Sequence, residues 1–130
     1  MEYYINKVLK DKSFEQAIEA VTSALKDDGF GILTEIDVKD TLKKKLDVDF
    51  RKYKILGACN PQFAYQAFQA EDKIGVLLPC NVIVQEHENG SVEVAAMNPL
   101  GAMSVVQNEK LETLAGEVEK IMIKVIGKLE

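Results

Sequence analysis

The sequence predicts an α+β domain in which helices pack on one face of a mainly antiparallel sheet. Several short runs alternate with the period of two that strands require, a capped amphipathic helix follows the first of them, and a long amphipathic helix closes the chain. With 130 residues, 47% hydrophobic and 28% charged, and no Pro- or Ser-rich linker, one domain over residues 1–130 with its own core is expected.

Residues 2–9, rich in Tyr, Ile and Val, read as a first strand. Ser13 opens a helix as N-cap, and Gln16 three positions on completes a capping box that satisfies two orphan amides reciprocally. Phe14, Ala17, Ile18, Val21, Ala24 and Leu25 form its apolar stripe, and Gly29 stands where a left-handed cap would end it. Phe30, Ile32, Thr34 and Ile36 then alternate with Gly31, Leu33, Glu35 and Asp37, giving a strand expected to pair antiparallel with residues 2–9 or another neighbour. Asp37 can cap a short Lys-rich helix whose apolar residues are Val38, Leu42 and Leu46, too narrow a stripe for anything but a peripheral element.

Tyr53–Cys59 returns to strand, with Tyr53, Ile55, Gly57 and Cys59 on one face and Lys54, Leu56 and Ala58 on the other. Asn60-Pro61 starts a helix, because Asn is a strong N-cap and Pro at the first helical position forfeits no hydrogen bond. Its apolar face is Phe63, Ala64, Ala67 and Phe68. Pro79 cannot donate to a ladder and belongs at a strand start, bulge or edge; from Cys80 on, Val82 and Val84 share one face and Asn81, Ile83, Gln85 and His87 the other. Between this strand and Val92–Met97, a two-residue Asn89-Gly90 loop would oppose Glu86 to Glu93. A three-residue loop, Glu88-Asn89-Gly90, instead sets Val82 against Ala96 and Val84 against Val94, and is preferred because it yields one apolar face. Asn98-Pro99 caps a further turn, residues 100–107 form a Met- and Gly-containing connection, and Asn108 caps the last helix. Leu111, Leu114, Ala115, Val118, Ile121, Met122, Val125 and Leu129 stripe that helix, which at about 30 Å can cover a sheet face.

The net charge of −5 repels phosphate backbones and anionic lipid, so neither nucleic acid nor a membrane surface is an expected partner. Lys39, Lys43, Lys44, Lys45, Arg51, Lys52 and Lys54 cluster, but Asp37, Asp40, Asp47 and Asp49 interleave with them, as on a solvated helix face. No segment reads as a signal peptide or membrane span, so a cytoplasmic location is expected, with the two cysteines as free thiols.

Three blocks carry a resemblance: Gly29-Phe30-Gly31-Ile32-Leu33-Thr34-Glu35-Ile36-Asp37-Val38, Tyr53-Lys54-Ile55-Leu56-Gly57-Ala58-Cys59-Asn60-Pro61 and Leu77-Leu78-Pro79-Cys80-Asn81-Val82. In combination they resemble the family called domain of unknown function 302, over nearly the whole chain. The resemblance implies a β-α-β(4)-α arrangement similar to the TATA-box-binding-protein-like fold, with the short helices after Asp37 and Asn60 as insertions. It brings no activity and no catalytic residues. Where the family usually has Asp-Pro this chain has Asn98-Pro99.

No catalytic motif, nucleotide loop or cofactor signature is spelled out, so candidate residues rest on local chemistry. Cys59 precedes a helix N-terminus, where the positive dipole end favours thiolate, and the competing reading is a buried strand-end hydrophobe. Cys80 shares the parity of Val82 and is expected to be buried, near Cys59 in space because both flank the same helix. Asn60 and Asn81 complete the ligand-binding candidates, although capping and strand-edge hydrogen bonding explain them more simply. Cys59, Cys80 and His87 are the candidate metal ligands, fewer than the four of a closed zinc site. Glu35 and Asp37 share a strand face without a placed His or Lys partner, and Met97 and Met103 suit an adaptable apolar pocket under the long helix. Two functions follow as expectations: a non-catalytic binding or interaction module with an apolar site between sheet and C-terminal helix, taking a small apolar ligand and forming a homodimer to cover an edge at the hairpin; or a thiol-dependent metal-binding or redox protein using Cys59 and Cys80.

Overall fold

A computed structural model describes residues 2–129. Strands β1 (Tyr4–Leu9), β2 (Gly31–Asp37), β3 (Tyr53–Cys59), β4 (Cys80–Glu86) and β5 (Val92–Met97) alternate with helices α1 (Phe14–Asp27), α2 (Val38–Leu46), α3 (Pro61–Ala70), α4 (Pro99–Met103) and α5 (Glu109–Gly127). The strands form one antiparallel sheet in the order β1-β5-β4-β3-β2. Leaving aside α2, α3 and α4, the order is β-α-β(4)-α, compatible with the arrangement that the resemblance implies.

The caps act as their residue types dictate. Ser13 and Gln16 make both halves of the capping box. At the other end of α1, Gly29 N donates to Lys26 O (3.0 Å) and Phe30 N to Leu25 O (2.9 Å), the paired bonds of a Schellman motif, which needs the positive φ of +84° that Gly29 adopts. Gly90, at φ +88°, closes the β4–β5 hairpin, and the register sets Val82 against Ala96 and Val84 against Val94 as the three-residue loop requires.

Two expectations are corrected. The hairpin is not an edge, because β4 lies between β3 and β5 and β5 between β4 and β1; the sheet edges are β1 and β2. Of the two pairings open to β2, it takes a neighbour, β3, while β1 pairs with β5. Nor do Phe30, Ile32, Thr34 and Ile36 share one face. The β2–β3 register shifts between Ile32 and Thr34, inserting Leu33 as an extra residue. Ile32 faces the core opposite Ala58, whereas Ile36 lies opposite Ile55, and Leu33 is 67% exposed.

Helices α1 and α5 cover one sheet face, where Leu56, Ala58, Val82, Val84, Val94 and Ala96 are buried against Val21, Leu25, Val118, Met122 and Val125. A second apolar cluster joins Ala67 of α3, Met103 of α4 and Leu111, Leu114 and Ala115 from the first half of α5. Thus α5 spans both clusters, and Lys124 and Lys128 fasten its far end to Asp28 at 3.0 and 3.3 Å. Helix α2 buries nothing, and its lysines pair with carboxylates, Lys43 with Asp47 and Lys44 with Asp40, each at 3.0 Å. The opposite sheet face carries Ile55, Ile83, Ala95 and Met97 without a helix over it, and Tyr3 beside it is 71% exposed. Among the described residues no helix is long and apolar enough to cross a membrane.

Candidate functional site

The site begins where β3 runs into α3. Asn60 turns its side chain back over the helix start, with Oδ1 accepting from Gln62 N (3.1 Å) and Phe63 N (3.3 Å), while Pro61 fixes the first turn. This sends α3 across the end of the sheet so that Phe63, Ala64, Ala67 and Phe68 face α5. Asn108 holds the two helices together: its Nδ2 donates to Ala70 O at 2.8 Å, and its Oδ1 accepts from Leu111 N at 3.1 Å. Asn98 does the same work below, capping α4 through Leu100 N and receiving the chain through its own N–H to Tyr3 O at 2.7 Å. A carboxylate is not required for that role, since amide and carboxylate oxygens cap equally well.

Between these elements lies a cavity of about 310 Å³. Ala58 and Cys80 of the sheet, Leu111, Ala115 and Val118 of α5 and Met103 of α4 are its buried walls, while Leu33, Phe68 and Gly75 are its exposed rim. The β2 bulge is what turns Leu33 to this rim, and the run from Phe30 to Asp37 carries no signal of it, because its alternation reads as unbroken. Among the described residues no Asp, Glu, Lys, Arg or His lines the cavity. Its polar side chains are Asn60 and the two thiols. Burial, reinforced by the proximity of Cys59, pushes the Cys80 thiol up to about 11, so that thiol stays uncharged.

The candidate residues divide accordingly. Cys59, Asn60 and Cys80 meet at the cavity; Cys80 lies directly across the ladder from Ala58, the residue before Cys59, and both cysteines are free. Asn81, next along β4, is exposed opposite Gly57 and lines a cleft on the uncovered face with Tyr53, Ile83 and Met97. It is therefore not part of the cavity, because consecutive strand residues point to opposite faces. Met103 is on the cavity wall; Met97 lines the cleft on the uncovered face and also packs against the buried cluster that holds Met103.

The metal candidates are not assembled. His87 is seven residues beyond Cys80 along an extended chain, about 23 Å away, and its Nε2 is 2.8 Å from Glu93 Oε1. Asn6 Nδ2 donates to the other oxygen of Glu93 at 2.7 Å. Burial alone would raise the Glu93 carboxyl, but Asn6 and His87 together hold it below its ordinary value. Among the described residues no three His, Cys, Asp or Glu side chains come together as a metal site would need. Glu35 and Asp37 are also engaged, Glu35 with Lys54 at 3.5 Å and Asp37 as the cap of α2.

The fold and site define a class: a small α+β domain with one bare sheet face, one helix-covered face and an uncharged cavity under its C-terminal helix. The chain belongs to the family described as Domain of unknown function DUF302, whose model matches residues 5–129. A solved structure, that of an uncharacterized conserved protein DUF302 from Bacillus stearothermophilus, is similar over 100% of both chains, with a TM-score of 0.92 at 25% sequence identity. A comparison with curated proteins finds no match.

Proposed function

We propose that this domain is a non-catalytic binding module whose ligand is a small apolar molecule held in the cavity between the sheet and α5. The observation that carries the reading is the cavity itself, whose volume of about 310 Å³ falls at the lower end of ligand pockets and whose lining is apolar except for Asn60 and two thiols. Placing Trp at Ala64, half-buried on α3, obstructs the cavity from its side without enlarging a buried core residue. Nile red, a neutral apolar dye, should bind the parent protein and brighten, and Ala64→Trp should weaken that binding by about tenfold or more while the fold is retained by circular dichroism. Equal dye binding by both proteins would locate the dye elsewhere and refute the reading.

The adjacency of Cys59 and Cys80 favours a second reading, a thiol-dependent redox or metal-handling protein. Against it stands the raised Cys80 thiol, since the thiolate is the reactive and metal-binding form. Rapid loss of two thiols to diamide in the folded protein, each pair giving up two electrons and two protons to the diazene as a disulfide forms, would favour it over the first.

The domain is further proposed to self-associate through the bare sheet face. Glu93, the carboxylate lining the cleft there, already has Asn6 and His87 as partners, so two copies of this face can meet without opposing unpaired like charges.

A further inference from the structure

Resting on the cavity as a binding site, its chemistry narrows the ligand. We infer that the cavity takes an uncharged molecule of about two fused rings that carries one hydrogen-bond acceptor, received by Asn60 Nδ2.

Size comes from volume. A cavity of roughly 150 Å³ accommodates benzene, so one of about 310 Å³ holds about twice as many ring atoms. Charge comes from the wall. With no cationic or anionic side chain on it among the described residues, a carboxylate or ammonium placed there would lose its water and find no counterion, a cost far above that of burying a neutral isostere.

Polarity comes from Asn60. Its Oδ1 is committed to the two amides of the α3 start, which also fixes which end of the side-chain amide is oxygen and which is nitrogen. The uncommitted group is Nδ2, and a donor can recognise only an acceptor. That nitrogen lies over Gly29, where a Cβ would stand 2.9 Å away, so the glycine that ends α1 also leaves room for the amide. No hydrogen bond joins Nδ2 to an acceptor among the described residues, and no buried polar side-chain atom there is left unsatisfied, so Nδ2 is not sealed from solvent.

Acetylnaphthalene, ethylnaphthalene and naphthoate share one ring system and differ in acceptor and charge, and calorimetric titration of each into the protein at neutral pH separates the claims. The ketone should bind about three- to tenfold more tightly than the ethyl compound, the worth of one neutral hydrogen bond, and naphthoate should bind at least about tenfold more weakly than the ketone. Asn60→Asp preserves the helix cap but removes the donor, and should erase the preference for the ketone over the ethyl compound. Naphthoate binding as tightly as the ketone, ketone and ethyl compound binding alike, or an unchanged preference in Asn60→Asp would each overturn the inference while leaving an apolar site standing. Failure of all three to bind would overturn the cavity reading as well.

Discussion

Gly57 shows how one residue can shape the ground beside the site. A Cβ there would collide with Thr34 Oγ1, directly across the ladder, and lie 2.8 Å from Cγ of Pro79, the residue that leads into β4 on the cavity side. The missing side chain leaves room for β2, β3 and the residue that leads into β4 to come together. Gly57→Ala should therefore destabilise the domain by about 1–3 kcal/mol through overpacking, read as a lower urea midpoint. Thr34→Ala in the same chain should recover part of the loss, and a Gly57→Ala midpoint equal to the parent's would show that the contact yields freely. Much at this scale was legible in the sequence. The caps at Ser13, Asn60, Asn98 and Asn108 follow from residue type and spacing alone, because each is satisfied within one helical turn. The cap at Asn60 is legible from its place before Pro61, but the freedom of its Nδ2 depends on Gly29, distant in sequence. Asn81 adjoins Cys80 in sequence, and strand parity puts the two on opposite faces.

Among the elements, α5 binds the molecule together, contributing seven buried residues from Leu111 to Ile126 and a wall of the cavity. Val118 is 6% exposed and lies at the boundary between the sheet-facing core and the cavity. Val118→Asp should place an unpaired charge there and cost several kcal/mol, a large share of the 5–15 kcal/mol that holds most domains folded. Ile123→Asp on the same helix, at a position 52% exposed, should be nearly silent. Thermal melts of the two variants check this, and a Val118→Asp protein melting within a few degrees of the parent would mean that α5 is not packed as described. The apolar stripe of α5 is readable because helical periodicity repeats over five turns. The bulge at Leu33 is not, since whether a strand accommodates an extra residue depends on the partner opposite it, which local sequence does not specify.

For the molecule as a whole, strand order decides which surfaces are left over. Periodicity showed that there are five strands and long-range pairing placed β1 and β2 outside, so the edge expected at the hairpin moved to strands that sequence pattern could not rank. The same order leaves one sheet face without a helix, and self-association there predicts a scattering mass twice the 14.5 kDa of the chain, falling when Ile83, central on that face, is changed to Lys. A mass of 14.5 kDa across a wide concentration range would contradict it. The two faces also allow the central claim to be tested in one experiment. Methyl-resolved NMR during titration with acetylnaphthalene reports where a neutral two-ring ligand goes. Binding in the cavity predicts saturable shifts at Ala58, Ala67, Met103, Leu111 and Ala115, with Ile83 and Ala95 of the bare face unchanged. Shifts confined to Ile83 and Ala95, or none at saturating ligand, would contradict it.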